Sequence, residues 1–289
     1  MKRSFLFTAL VALLVATSCA GPTTTSTKIN IPERQNWDNR IPLFGDVESV
    51  TVYGYNLIEK DGETVREKDG GQKEVYKFNQ KGDVDEFFVY ENDGSRLFRE
   101  TYKYDSQGNI TEDTYYGSDN SLSSKTLYKY DLQGNKIEKV SYESNGSQSY
   151  KTLYEYDSQG NMIKEESYGS GWRSQCTYKY DARGNMIEKA RYDSDCSLES
   201  KKCYKYDSQG NMIEETRYCS DGSLRMVTTF KRNSQGQFVE AVVYAPNGLI
   251  MGKSICKLDS QGNMVEVFHY EGDNMKPTRV TVREVVYRK

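Results

Sequence analysis

The stretch YKYDSQGNMIEE at 204–215 is almost repeated as YEYDSQGNMIKE at 154–165, and weaker copies run along most of the chain. Aligned on its glycine, the copies fall at Gly82, Gly108, Gly134, Gly160, Gly184, Gly210, Gly236 and Gly262. Successive spacings are 26 residues, with a single 24 between Gly160 and Gly184. A fixed period of this length marks a repeat architecture, in which each copy buries its surface against the next.

Each copy holds two runs and two turn signals. The first run ends in Tyr-Lys-Tyr, as at Tyr102-Lys103-Tyr104, Tyr178-Lys179-Tyr180 and Tyr204-Lys205-Tyr206. The turn DSQGN follows, then a second run such as Met212–Tyr218, then a second turn such as SDGS at 220–223. These runs alternate by two, where a helix would need apolar spacings of three and four. The sequence therefore predicts an all-β fold. Repeated antiparallel β-hairpins form an extended, twisted, open meander of sixteen to eighteen strands, which at about 4.8 Å per strand would extend ~80 Å. In the turn, Asp207 is placed to accept backbone amides, and Gly210 to take the left-handed conformation of a type I turn with a glycine bulge.

Three columns repeat with the glycine. Eight residues beyond it stands a tyrosine in every copy: Tyr90, Tyr116, Tyr142, Tyr168, Tyr192, Tyr218, Tyr244 and Tyr270. Four beyond is Glu in seven of eight copies, and five before is Lys in seven of eight. The exceptions, Lys164 and Glu155, belong to the same copy, so the two columns have exchanged sign together. That points to cross-strand neighbours on one face. A three-residue bulged loop would instead place them on opposite faces, and the columns by themselves leave the register open.

Composition agrees with a tyrosine-rich repeat. Of 289 residues 36% are hydrophobic and 24 are tyrosine, and the mean hydropathy is -0.81. A conventional aliphatic core is not expected, and tyrosine should carry much of the burial, packed on columns such as Met162, Met186, Met212 and Met264. Disorder is excluded by the aromatic content. With 39 basic and 42 acidic residues mixed along the chain, there is no electrostatic footprint for nucleic acid.

The ends differ from the array. Residues 45–75 read as divergent cap strands, 76–272 as the hairpin repeats and 273–289 as a C-terminal cap strand. There Arg279, Arg283, Arg288 and Lys289 are expected to discourage edge pairing. Residues 1–18 resemble the signal peptide of bacterial lipoproteins: Lys2 and Arg3, an apolar run from Phe5 to Val15, then small residues leading to Cys19. That resemblance implies that Cys19 is the lipid-attachment residue and the mature N-terminus, with 19–44 as lipidated cysteine and flexible tether. Ala20 in place of Asp resembles lipoproteins sorted to an outer membrane, and the periplasmic face is preferred over the cell surface. The alternative is a plain secretory signal with an incidental cysteine. The other five cysteines lack metal-ligand spacing and read as scattered strand and turn residues.

Five intact Tyr-Asp-x-x-Gly motifs, starting at Tyr104, Tyr130, Tyr156, Tyr180 and Tyr206, resemble the YD repeats of the Rhs family. Degenerate copies start at Phe78, Arg232 and Leu258. The resemblance covers about residues 70–275. It implies a β-rich array, while the short length, Asn rather than Arg after most glycines and the lack of a toxin segment favour an open sheet over a shell.

Few residues point to chemistry. His269 stands alone without nucleophile or metal partners and reads as structural. The Glu column reads as a lysine-neutralised ladder, not as paired glycosidase carboxylates. One carboxylate per turn falls short of a calcium site. Charged columns argue against a membrane-spanning barrel. No enzyme activity, cofactor or metal is expected. The partners expected are a membrane, through the lipid, and either another envelope protein or a glycan. A glycan would stack on Tyr116, Tyr142, Tyr168, Tyr192, Tyr218 and Tyr244. Association with an Rhs-type toxin is a third reading, drawn from the resemblance alone.

Overall fold

The computed structural model describes residues 43–274 and 276–288; the leader, Cys19 and the tether to residue 42 lie outside the described residues. The strands are β1 (Val47–Lys60), β2 (Glu63–Lys68), β3 (Lys73–Phe78), β4 (Val84–Tyr90), β5 (Arg96–Tyr104), β6 (Ile110–Gly117), β7 (Leu122–Tyr130), β8 (Lys136–Glu143), β9 (Gln148–Tyr156) and β10 (Met162–Gly169). They continue as β11 (Trp172–Tyr180), β12 (Met186–Tyr192), β13 (Leu198–Tyr206), β14 (Met212–Tyr218), β15 (Leu224–Arg232), β16 (Phe238–Tyr244), β17 (Ile250–Leu258), β18 (Met264–Glu271) and β19 (Arg279–Tyr287). All nineteen belong to one sheet.

The sheet is not the open meander that the repeat alone suggests. On one edge β1 pairs with β19 from Ser49 to Asn56. On the other it pairs with β3 from Ser49 to Val52 and with β2 from Tyr55 to Lys60. First and last strands are thus neighbours, and the sheet closes. The physical reason is that an open sheet leaves two rows of unpaired N–H and C=O groups, which joining satisfies. The arginines expected to guard an edge serve inside the seam. Arg283 is buried and donates to Met264 Sδ at 3.0 Å. Arg279 pairs with Asp69 at 2.6 Å. Arg288 pairs with Asp46 and donates to the Asn79 carbonyl at 2.7 Å.

The DSQGN turn explains the register. In the copy at 131–135 the Gly134 amide donates to the Asp131 carbonyl at 3.1 Å, and the Asp131 amide to the Asn135 carbonyl at 2.9 Å. Gly134 sits at φ +84°, the left-handed region a Cβ resists. Asp131 Oδ1 accepts the Gln133 and Asn135 amides, and Oδ2 accepts Asn135 Nδ2 at 2.9 Å. This loop alone would put the Lys and Glu columns on opposite faces. A second irregularity, between Lys129 and Tyr130 in the β7–β8 ladder, absorbs one further residue and brings Lys129 opposite Glu138. The same shift recurs in β9–β10, β11–β12, β13–β14 and β17–β18.

The spacing of 24 has an equally local origin. Elsewhere the second turn spans five residues between paired positions, as between Tyr142 and Gln148, with a bulge beside it. Between β10 and β11 the strands run unbroken to Gly169 opposite Trp172. Two residues are lost, and so is the bulge.

The chain divides into two compact units, one of residues 100–227 and one formed by the residues before and after them. In the 100–227 unit the buried apolar residues include Tyr102, Tyr154, Tyr178, Val140 and Ala190, interspersed with buried Thr114, Thr126 and Thr152. Tyrosine does carry burial there. The other unit departs from that expectation: Val84, Phe87, Val89, Met264, Val267 and Val280 are buried, and Tyr76 meets Phe87 at 4.5 Å. Aliphatic and phenylalanine side chains are concentrated near the seam, and the composition of the whole chain averages this away.

Candidate interaction face

Alternation along the strands creates two faces. One carries the Lys and Glu columns, now in direct register: Lys103–Glu112 at 2.9 Å, Lys129–Glu138 and Lys179–Glu188 at 2.7 Å, and Lys205–Glu214 at 2.8 Å. Lys77–Glu86 at 3.2 Å and Lys257–Glu266 at 3.1 Å repeat it in the other unit. The sign-exchanged pair is kept as Lys164–Glu155 at 3.1 Å. Glu112 and Glu138 also reach the following hairpin, through Lys125 at 2.8 Å and Lys151 at 2.6 Å. The bonds from Lys129 and Lys151 hold the Glu138 carboxyl below its ordinary range. Solvent screens exposed pairs of this kind, so the ladder fixes register more than it adds stability.

Lys164 carries a second load. The next position on its face is Glu166, a buried carboxylate where the preceding copy has Val140. Burial alone would raise its pKa, but the Tyr168 hydroxyl, Arg173 and Lys164 lower it to about 2. Lys164 lies 3.1 Å and Arg173 Nε 2.6 Å from Glu166.

The tyrosine column lies on this same face. Lys125 faces Tyr142, Lys151 faces Tyr168 and Lys201 faces Tyr218. Lysine ammoniums cover several rings, at 4.9 Å from the Tyr218 centroid and 4.6 Å from that of Tyr270. Tyr116, Tyr142, Tyr192, Tyr218 and Tyr244 are half-buried, and Tyr168 is the most open of the six candidates at 37%. The eight turn glycines stay at the loops, all at φ between +78° and +92°.

The opposite face is a lattice of hydroxyls and rings. Thr126 and Ser141 share a hydrogen bond at 2.7 Å, and Thr152 and Ser167 one at 2.8 Å. His269 and Ser254 occupy the same two columns of the last copy. Ser254 Oγ lies 3.1 Å from His269 Nδ1, and Thr281 Oγ1 lies 3.0 Å from Nε2. The ring is 2% exposed, and burial, helped by Arg279 and Arg283, lowers its pKa to about 4. It is a repeat position whose ring bonds on both sides are already used.

Hairpins are tied together by the second tyrosine of Tyr-Lys-Tyr. The hydroxyls of Tyr130, Tyr156 and Tyr180 donate at 2.8 Å to the carbonyls of Ile110, Lys136 and Met162, and Tyr206 donates at 2.7 Å to Met186. Each carbonyl lies two residues before the ladder with the next hairpin begins, as Met162 lies before Lys164 opposite Thr177. The hydroxyl extends the ladder where backbone pairing stops. At the seam the scheme is rewired. Asn263 donates to the Phe44 carbonyl at 2.8 Å and to the Tyr287 hydroxyl at 2.6 Å, and accepts the Phe44 amide at 2.6 Å.

Among the described residues no group of three His, Cys, Asp or Glu is placed to hold a metal ion. Cys176, Cys196, Cys203, Cys219 and Cys256 are free thiols, Cys196 exposed and Cys256 buried; burial pushes the Cys256 thiol up to about 12. One feature escaped the sequence reading. Trp172, at the shortened hairpin, is 46% exposed. Its signal was the spacing of 24 together with the Gly-Ser-Gly-Trp run at 169–172.

Curated proteins provide no match to the chain. Among solved structures it is similar to a porin-like protein from Bacteroides uniformis, at 11% identity and a TM-score of 0.44, over 84% of this chain and 98% of that one. It is also similar to the TcdB2-TccC3-TEV structure, at 12% identity and a TM-score of 0.33. That match covers 79% of this chain, which spans 15% of the other's length. A family model described as "Uncharacterised protein" matches residues 130–275, just over half of the chain, and the chain belongs to that family.

Proposed function

We propose that this is a non-enzymatic, lipid-anchored protein of the cell envelope whose repeated sheet is a protein-interaction scaffold. The observation that carries the reading is the ladder face. Lysine, glutamate and tyrosine stand in fixed columns, locked in register by cross-strand pairs from hairpin to hairpin. A partner with complementary charge would meet the same pattern once per repeat, so weak contacts would add up along the array. The repeat itself we assign to the YD type. Anchoring rests on the resemblance of residues 1–19 to lipoprotein signals.

The half-burial of the tyrosine column and its lysine cover support a packed role over sugar stacking. The opposite face, with hydroxyls hydrogen-bonded in pairs and lysines such as Lys139 standing over its rings, is no better suited to hydrocarbon than the charged ladder, which supports the anchored over the spanning form. Two measurements test the reading. Palmitate labelling should be lost in Cys19→Ala. Capture of a defined envelope partner from native membranes should fall when Glu112 and Glu138 are both changed to Lys and persist when Tyr142 and Tyr218 are changed to Phe. A glycan-array signal abolished by Tyr→Ala changes in that column would replace the scaffold with a glycan-binding module.

A further inference from the structure

The repeat departs from its period at one place, and the departure builds something that the scaffold does not need. The β10–β11 hairpin closes through two residues, Ser170 and Gly171, with Gly171 at φ +76°. Its apex, Tyr168-Gly169-Ser170-Gly171-Trp172, carries no charge. The corresponding turns of other copies carry Asp93, Asp119, Asp195 or Asp221, or in two copies Asn145 or Asn247. Trp172 stands directly opposite Gly169. A Cβ added at Gly169 would fall against indole Nε1 and Cε2, so the ring lies over the glycine backbone and occupies the space a side chain would take. Tyr150, the other neighbour of Gly169 in the ladder, braces the ring edge with centroids 6.5 Å apart.

The indole therefore has one side pressed on backbone. At 46% exposure the rest is open to solvent, and the space beside Gly171 is empty. The rings of the tyrosine column lie beside lysines, as at Tyr218 and Tyr270. Trp172 has no such cover among the described contacts. A rigid, flat, uncharged aromatic surface matches the apolar face of a pyranose ring. β-Gluco-configured sugars fit best, because their equatorial substituents leave both faces of the ring flat.

We propose that Trp172, seated on Gly169 and braced by Tyr150, is the stacking platform of a carbohydrate site for β-linked glucopyranose-type glycans. This goes beyond the scaffold reading and uses a different surface, so either can fail alone. The test is tryptophan fluorescence of the full chain in a Trp37→Phe background, so that Trp172 alone emits, titrated with chitotetraose and cellotetraose. A saturable change is expected with at least one of them. Gly169→Ala, which lifts the indole, should weaken it about tenfold or more, while Trp172→Phe, measured by calorimetry, should retain measurable binding. Far-UV circular dichroism of each variant separates lost binding from lost folding. No response to either sugar would overturn the proposal. So would a blue shift with phosphatidylethanolamine vesicles in the absence of any sugar response, which would make the apex a membrane contact.

Discussion

Removing four hydroxyl groups should weaken the sheet more than any change to its charge ladder. Tyr130, Tyr156, Tyr180 and Tyr206 each donate to a carbonyl of the preceding hairpin at 2.7–2.8 Å. Replacing one by Phe keeps the ring and leaves a half-buried carbonyl without that donor, a loss of about 1 kcal/mol. Equivalent residues lie two strands apart, about 9.6 Å, where effects add. The quadruple Tyr→Phe variant should therefore lose about 4 kcal/mol, or a Tm shift of roughly 10 °C for a domain of this size. Urea unfolding of the four single variants and the quadruple variant, followed by circular dichroism, provides the numbers. A total below about 1 kcal/mol would refute the reasoning, as would one position carrying nearly all the loss, because the bond is held to be the same in each repeat.

Other outcomes follow from single sites. His269 has a folded pKa of about 4 against 6.5 unperturbed; its contribution is complete above pH 6.5 and is lost as pH falls through 4, up to about 3 kcal/mol. His269→Ser, which restores the Thr/Ser pairing of other repeats, should flatten stability between pH 6.5 and 4 in denaturant titrations. Asn263→Ala removes three bonds at a fully buried seam residue and should cost about 2–3 kcal/mol by chemical unfolding. Lys164→Glu sets a carboxylate beside Glu155 and buried Glu166 and should cost about 2 kcal/mol. Adding Glu155→Lys should rescue only part of that loss, because Glu166 remains.

The hairpins were legible because their signals are local. Asp207 and Gly210 define a turn by themselves, and alternation by two defines the runs beside it. The joint sign change at Glu155 and Lys164 pointed correctly to one face, against the simple geometry of the loop. What reconciled them was a second bulge, which single residues do not announce. Closure was not legible, since it pairs residues at opposite ends of the array, such as Val50 and Val285, that carry no local signal for one another. The arginines of β19 misled for the same reason: a charged strand reads as an edge until a partner such as Met264 or Asp69 is seen beside it. The tyrosine column was found, but its exposure was not, because the covering lysines come from neighbouring strands. Trp172 was passed over because it belongs to no column.

Amide hydrogen exchange along β1 tests the closed sheet most directly. From Ser49 to Val52 this strand is paired on one edge with β19 and on the other with β3, so consecutive amides should all be protected to a similar degree. Protection of every second amide only, with the others exchanging as fast as a free edge, would contradict closure.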